Sequence, residues 1–236
     1  MNSEPFRAER SPARSAAFFD VDETLITTKS MFDFLEFHCA LRGMPEAYGQ
    51  AMDSLRNFAA AGGPREEVNR RYYRHYAGVA AAELADQGVL WFRRRLREAG
   101  LFHPPVLSAF RRHAQEGLDT VLVSGSFFAC LDPVAAHIGA TTVLATRPVV
   151  ADGILTGEVE RPMIGGAKAE AARALAGDLG YDLAASHAYG DHATDLGLLE
   201  LVGRPTAVGD DPVLAERVRE RGWSRLPGIS GPVPLI

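Results

Sequence analysis

The feature that most constrains the fold is an alternation of short apolar runs with amphipathic segments in the second half of the chain. The apolar runs predict strands over 118–123, 141–145, 186–189 and 205–208, and residues 16–21 predict one more near the start. The amphipathic segments predict the intervening helices, over 105–116, 127–138, 167–179, 194–202 and 212–221. Strands that alternate with helices indicate an α/β protein: a Rossmann-like, doubly wound parallel sheet with helices on both faces.

Two stretches depart from this alternation. Residues 147–161 predict a β-hairpin, because Asp152-Gly153 is a favoured turn sequence between two apolar runs. Residues 29–103 show helical periodicity and no convincing strand, so they are predicted to form an inserted, all-helical cap. The core is then 14–28 together with 104–226. Residues 1–13 and 227–236 are predicted to be flexible, and the Pro- and Gly-rich tail from 224 is predicted to be irregular.

Composition narrows the class of protein. The chain has 236 residues, is 47% hydrophobic and carries a formal net charge of −5, which argues against nucleic-acid or membrane partners. No apolar stretch is long enough to span a bilayer, and the first residues lack the apolar core of a secretion signal. Its only cysteines, Cys39 and Cys130, lie in apolar surroundings, which favours reduced thiols in a cytoplasmic protein. The chain is expected to be a monomer or a homodimer.

Two carboxylates follow the first predicted strand directly. Asp20 and Asp22 are spaced i and i+2, and alternation along a strand aims both side chains the same way. Two aligned anions repel each other unless a cation or a proton lies between them, and a nucleophile next to a proton donor needs this geometry. The alternative is a turn whose acidic and threonine side chains cap the next helix.

Further polar residues follow other predicted strands or begin a helix at the same edge of the sheet. Ser124 follows 118–123, Asp191 and Asp195 follow 186–189, and Lys168 opens a helix after two glycines. Taken singly, they are explained as helix caps or a solvated lysine. Together at the carboxyl edge, where such sheets bind ligands, they indicate a magnesium-dependent phosphoryl-transfer site. The sequence contains neither a P-loop nor Cys/His spacing typical of zinc.

These residues resemble the four ordered motifs of the haloacid dehalogenase superfamily. The motifs are Phe18-Phe19-Asp20-Val21-Asp22-Glu23-Thr24-Leu25, Val123-Ser124-Gly125-Ser126, Lys168, and Gly190-Asp191-His192-Ala193-Thr194-Asp195. The helical insertion resembles the C1-type cap of the phosphoserine-phosphatase-like branch, subfamily IB. The resemblance extends over essentially 14–226.

The resemblance implies a role for each motif residue. Asp20 is the nucleophile that forms an aspartyl-phosphate, and Asp22 is the general acid and then the general base. Ser124, Gly125 and Lys168 hold the phosphoryl group of the substrate. A Mg²⁺ cofactor is held by the Asp20 carboxylate, the Asp22 backbone carbonyl and Asp191, while Asp195 supports the waters of the metal or Lys168.

Asp22 also distinguishes phosphatase chemistry from dehalogenase chemistry. Dehalogenases of this superfamily lack the equivalent of Asp22, because a halide leaves without a proton, so a phosphatase of a small phosphorylated metabolite is predicted. Two alternatives stay open at this point. The chain can pass the phosphoryl group to an alcohol as a phosphotransferase, or it can be a catalytically silent binding protein on this fold.

Two positions depart from the serine-phosphate phosphatases. Lys29 stands where those enzymes have a glutamate that meets the substrate ammonium, so weak turnover of phosphoserine is predicted. The alternative is that Lys29 faces solvent. His192 replaces a small residue, and it either touches the leaving group or only packs beside the cap.

Overall fold

The computed structural model describes residues 14–229, so the predicted flexibility of 1–13 and 230–236 lies outside the described residues. The described strands are β1 (Ala16–Phe19), β2 (Asp119–Ser124), β3 (Thr142–Ala145), β4 (Pro148–Ala151), β5 (Ile154–Val159), β6 (His187–Gly190), β7 (Arg204–Val208) and β8 (Ser224–Leu226). The α-helices are α1 (Ser30–Leu41), α2 (Pro45–Ala60), α3 (Arg65–Tyr73), α4 (Ala81–Arg97), α5 (Pro104–Gln115), α6 (Phe128–Ile138), α7 (Gly166–Leu179), α8 (Leu196–Leu201) and α9 (Pro212–Arg221). Short 3₁₀ helices cover Arg74–Tyr76 and Ala193–Asp195.

Six strands form one parallel sheet in the order β3-β2-β1-β6-β7-β8. The chain leaves β1 towards β2 on one side and later returns to β6 on the other, so the strand order switches beside β1. Ligands of such sheets bind at this switch, beyond the carboxyl ends of the strands. The predicted α/β fold class is confirmed, and β4 and β5 form the predicted antiparallel hairpin.

One predicted irregular segment is a strand. Residues Ser224–Leu226 form β8, which pairs with β7 in the register Thr206↔Ser224, so the prediction of an irregular tail is wrong for these residues. The strand has three residues, two of them exposed, and its sequence lacks the alternation that marks a strand. Only the free edge of β7 supplies the hydrogen-bonding partner that makes it a strand.

Apolar side chains of β1 alternate between two hydrophobic clusters. Ala16 and Phe18 face the cluster that α7, α8 and α9 cover, whereas Ala17 and Phe19 face the other side of the sheet. The second cluster continues through α5 and α6 into the helical stretch 29–103. The division into core and cap remains a prediction, but one continuous apolar cluster joins the two parts of the chain.

Aromatic residues form much of this shared cluster. Phe34, Tyr72, Tyr73 and Trp91 of the helical stretch are fully buried, and the Phe34 and Phe127 ring centroids lie 5.7 Å apart. Helix α4 packs very closely on α6, since a Cβ built at Gly88 would lie 2.0 Å from the Ala129 carbonyl oxygen. None of the helices within 14–229 is long and apolar enough to cross a membrane.

Candidate active site

Asp20 and Lys168 meet at the carboxyl end of β1. Lys168 Nζ donates to Asp20 Oδ1 at 2.5 Å and to Asp195 Oδ1 at 2.6 Å, and all three side chains are almost completely buried. Burial lowers the pKa of Lys168, but the charges of Asp195 and Asp20 outweigh it and hold this pKa above its usual value. Lys168 is therefore a permanent cation in the site, and the alternative of a solvated lysine is excluded.

Asp191 completes an acidic cluster with Asp20 and Asp195. One carboxylate oxygen from each lies within 4.8 Å of the others. The Thr24 hydroxyl donates to Asp191 Oδ1 at 2.9 Å and fixes the orientation of that carboxylate. Burial raises the pKa of Asp191 to about 8, and the neighbouring charges of Asp20 and Asp195 add to the effect.

The chemistry of this donor set suits a hard divalent cation. Three carboxylates share the cluster, and Lys168 supplies one positive charge to two of them. One ammonium among three carboxylates leaves negative charge that the cluster itself does not balance. Carboxylate oxygens are the ligands that Mg²⁺ prefers, so the residues present fit a magnesium ion.

The second aspartate has a different partner. Asp22 Oδ1 accepts the backbone N–H of Ser30 at 3.1 Å, so its carboxylate satisfies an amide at the first residue of α1. Burial raises the pKa of Asp22 to about 7; the Ser30 hydrogen bond lowers it, and the charge of Asp20 raises it. Near neutral pH this carboxyl group is present in both protonation states, as a general acid and base requires.

The loop after β2 presents Ser124 and Gly125 beside the end of β1. Strands β1 and β2 are neighbours in the register Phe19↔Leu122, and the Ser124 hydroxyl oxygen accepts the N–H of Ser126 at 3.0 Å. From α3, Asn69 Nδ2 and the Tyr73 hydroxyl both donate to the Gly125 carbonyl oxygen, at 2.9 and 3.0 Å. This role of the two α3 residues is not recognisable from the sequence, because helical periodicity shows a buried face but not its partner.

The structure brings His192 together with a residue that the sequence analysis missed. Arg65 Nη1, at the first turn of α3, lies 3.0 Å from His192 Nε2. His192 Nδ1 accepts the Thr194 N–H at 3.0 Å, and Asp195 Oδ2 accepts the N–H of His192. The pKa of His192 is lowered by burial and by the charge of Arg65. His192 therefore lies against the first turn of α3, and its contact with the leaving group stays a prediction.

Lys29 is the remaining predicted site residue. Its side chain is 16% exposed and its ammonium lies 3.5 Å from the Glu23 carboxylate. The alternative in which Lys29 simply faces solvent does not describe this position. Its charge also contributes, after burial and the charge of Arg65, to the lowered pKa of His192.

Comparison with known proteins identifies the family of the chain. Residues 17–200 match the haloacid dehalogenase-like hydrolase family, and the chain belongs to that family. It is 35% identical to the inhibition of morphological differentiation protein of Streptomyces azureus over 93% of this chain and 84% of that one. A probable phosphatase of Mycobacterium tuberculosis is 34% identical over 94% of this chain and 78% of its own length.

The fold comparison agrees as well. A crystal structure of a protein of unknown function from Bordetella pertussis matches with a TM-score of 0.81 and 27% identity, over 91% of this chain and 99% of that chain. Phosphoserine phosphatases are also among the matching relatives and structures. The predicted superfamily, its phosphoserine-phosphatase-like branch and the class of enzyme, a phosphatase-type hydrolase, are confirmed; the finer assignment to subfamily IB stays a prediction.

Proposed function

We propose that this protein is a Mg²⁺-dependent phosphatase that hydrolyses a phosphate monoester of a small metabolite through an aspartyl-phosphate intermediate, in the cytoplasm. The observation that carries the proposal is the convergence of Asp20, Lys168, Asp191 and Asp195 on one buried point at the end of β1. The two free, buried cysteines support the cytoplasmic location.

The first half of the reaction belongs to Asp20 and Asp22. The Asp20 carboxylate attacks phosphorus in line, a bond forms between its oxygen and phosphorus, and the ester P–O bond breaks. Asp22, whose pKa is raised to about 7, gives its proton to the departing oxygen. The Ser124 hydroxyl, the Gly125 N–H and Lys168 hold the phosphoryl oxygens in this proposal.

The second half reverses the role of Asp22. The carboxylate that Asp22 has become takes a proton from a water molecule, which attacks the phosphorus of the acyl phosphate. The bond between phosphorus and the Asp20 oxygen breaks, inorganic phosphate leaves, and Asp20 is restored. Unaided phosphate-monoester hydrolysis is so slow that positioning and charge must lower the barrier by roughly 20 kcal/mol.

Asp20, Asp191 and the Asp22 backbone carbonyl would hold the magnesium ion. Asp195, the third carboxylate of the cluster, would support the waters of the metal or Lys168. Bound there, the ion would shield the anionic nucleophile from the negative charge of the phosphate group. Asp20 and Asp191 lie within the acidic cluster, which supports this assignment.

For the leaving group, we infer that Lys29 and His192 contact the substrate, with Arg65 beside them. A cation at position 29 repels a substrate ammonium, which supports our prediction that phosphoserine is a poor substrate. The 3.0 Å contact between Arg65 and His192 supports a role for α3 at the mouth of the site.

The test is phosphate release from a panel of small phosphomonoesters with magnesium present, for wild type, Asp20→Asn and Asp152→Asn. Asp152 lies in the exposed turn between β4 and β5, so its variant makes the same chemical change away from the site. Activity lost in Asp20→Asn and kept in Asp152→Asn supports the proposal. If phosphoserine is the best substrate, the inference from Lys29 is wrong.

Two alternatives are decided by the same assay. Consumption of the ester that requires an added alcohol, with the phosphoryl group transferred to that alcohol, the original alcohol released and no inorganic phosphate formed, indicates a phosphotransferase. A folded protein that binds magnesium and releases no phosphate from any ester indicates a binding protein on this fold.

A further inference from the structure

A cavity of about 600 Å³ lies between α5 and the strands β6, β7 and β8. None of the site carboxylates lines it, nor do Ser124 and Lys168, so it is separate from the candidate active site. Its volume is within the range of small-molecule binding sites. Residues of six elements contribute to its wall, namely α5, β6, α8, β7, α9 and β8.

The lining of this cavity is strongly cationic. It contains four arginines and one glutamate, a formal charge of +3, in a chain whose net charge is −5. The arginines are Arg112, Arg204, Arg221 and Arg225, and the glutamate is Glu200. Such a concentration of like charge is unfavourable unless an anion offsets it, so it points to an anionic ligand.

Only part of this charge is neutralised within the protein. Arg221 lies 3.5 Å from Glu200, and Arg225 pairs with Asp210. For Arg112 and Arg204, no carboxylate of residues 14–229 comes within 4.0 Å. These two guanidinium groups, one from α5 and one from the start of β7, contact neutral side chains of the wall, Tyr189 and His187 respectively. Because both arginines are exposed, a ligand in the cavity can reach them.

The wall of the cavity also contains a histidine whose pKa is lowered. His187, at the start of β6, has its Nε2 3.4 Å from Arg204 Nη1 and also lines the cavity. Its pKa is lowered to about 4 by burial and then by the charges of His113 and Arg204. The imidazole is therefore neutral at pH 7, and the positive potential of the cavity comes from the arginines.

The cavity also has an aromatic wall. Trp223, directly before β8, lines it and is half-buried. The chain has two tryptophans, and the other, Trp91, is fully buried in the helical stretch. Trp223 offers a flat apolar surface beside the arginines, which suits the organic part of a ligand.

We propose that this cavity binds a small phosphorylated molecule with at least two negative charges, and that Arg112 and Arg204 are its main contacts. Guanidinium groups bind phosphate oxygens through paired, charge-assisted hydrogen bonds, and two of them suit a doubly charged group. A lone phosphate would fill little of the volume, so the remainder of the ligand lies against Trp223. The proposal is independent of the function assigned to the active site.

The experiment measures binding of inorganic pyrophosphate and of ADP by calorimetry, in magnesium-free buffer with a chelator. The variants are Arg112→Gln/Arg204→Gln and, as the matched control, Arg111→Gln/Arg219→Gln, which removes the same charge from exposed positions outside the cavity. We expect the first pair to raise the Kd at least about tenfold and the control to leave it near wild type. Each single cavity variant should give an intermediate loss.

Trp223 supplies a second readout. ADP should change the tryptophan fluorescence of the wild type more than pyrophosphate does, and Trp223→Phe should abolish that change while Trp91 remains. The variant Ser124→Ala separates the two sites, since binding in the cavity is expected to survive it.

Four results would overturn the proposal. The first is that neither probe binds at millimolar concentration, and the second is that Arg112→Gln/Arg204→Gln binds with the same Kd as wild type. The third is that Ser124→Ala by itself abolishes binding. The fourth is that two copies of the chain bury the cavity between them. Sedimentation of wild type and of Arg112→Gln/Arg204→Gln decides the last, because an interface there would dissociate in the variant.

Discussion

The Lys168 ammonium lies 2.5 Å from Asp20 Oδ1, and this contact joins the first helical turn of α7 to the end of β1. The residues are separated by 148 positions in the chain. The same ammonium reaches Asp195 at 2.6 Å, so a single cation holds two of the three clustered carboxylates. The geometry of the nucleophile therefore depends on one buried lysine.

Lys168→Gln should lower kcat for phosphate release by roughly 100-fold or more, because a preorganised charge on the reacting group is lost. It should also destabilise the fold, since two buried carboxylates lose their cation. Steady-state kinetics and thermal unfolding measure both effects. Arg173→Gln, an exposed cation on the same helix, is the control and should behave as wild type.

Asp22→Asn should affect substrates according to their leaving groups. An alkoxide leaving group needs a proton, so an alkyl phosphate should lose roughly 10²–10⁴-fold in kcat. An activated aryl phosphate leaves without one, so formation of the aspartyl-phosphate should be slowed far less. Single-turnover measurements with an alkyl and a p-nitrophenyl ester compare the two; equal losses would contradict the general-acid role of Asp22.

Magnesium should stabilise the wild-type protein against heat and leave Asp191→Asn nearly unaffected. Asp191 is one of the two carboxylates that would hold the ion, and a ligand present at 100 times its Kd adds about 2.7 kcal/mol to the free energy of unfolding. Scanning calorimetry with and without magnesium measures the shift. An unchanged magnesium effect in Asp191→Asn would place the ion elsewhere, and Asp152→Asn controls for loss of one negative charge.

Gly88→Ala should destabilise the protein, because its Cβ would lie 2.0 Å from the Ala129 carbonyl oxygen, where α4 and α6 are in closest contact. Overpacking of this kind costs roughly 1–3 kcal/mol. Gly177→Ala in α7 has no neighbour within 4 Å and should instead stabilise by about 0.5–1 kcal/mol. Urea unfolding of both variants measures the difference, and a stabilising Gly88→Ala would show that α4 can move away from α6.

His187 should make the protein less stable in mild acid. Its pKa is about 4 in the folded state, below the value near 6.5 of an unfolded chain, so the unfolded state takes up the proton first. Stability should fall as the pH drops from about 6.5 to 4, with little change above 7. The position is part-exposed, so solvent screening reduces the effect.

His187→Gln should flatten this dependence. Urea midpoints at pH 7.5 and pH 5 separate the charge effect from packing, because the imidazole is neutral in both states at the higher pH. A variant that loses as much stability as wild type between the two pH values would assign the acid sensitivity to other groups.

Much of the fold is predictable from the sequence because patterns among neighbouring residues determine it. Apolar runs and helical periodicity place the strands and helices within a few residues, and Asp152-Gly153 identifies the β4–β5 turn. Prediction from the sequence fails where a segment takes its structure from a partner strand distant in the chain. Ser224–Leu226 becomes a strand only because β7 offers it a free edge.

The candidate site divides in the same way. Asp20, Asp22, Ser124, Lys168 and Asp191 are recognisable from the sequence, since each follows a strand or begins a helix and belongs to an ordered motif. The tertiary structure alone shows Arg65 against His192, Asn69 and Tyr73 on the Gly125 carbonyl, and the arginines of the β6–β8 cavity. Local spacing carries periodicity and motif order, whereas contacts between residues far apart in the chain arise only when packing brings their elements together.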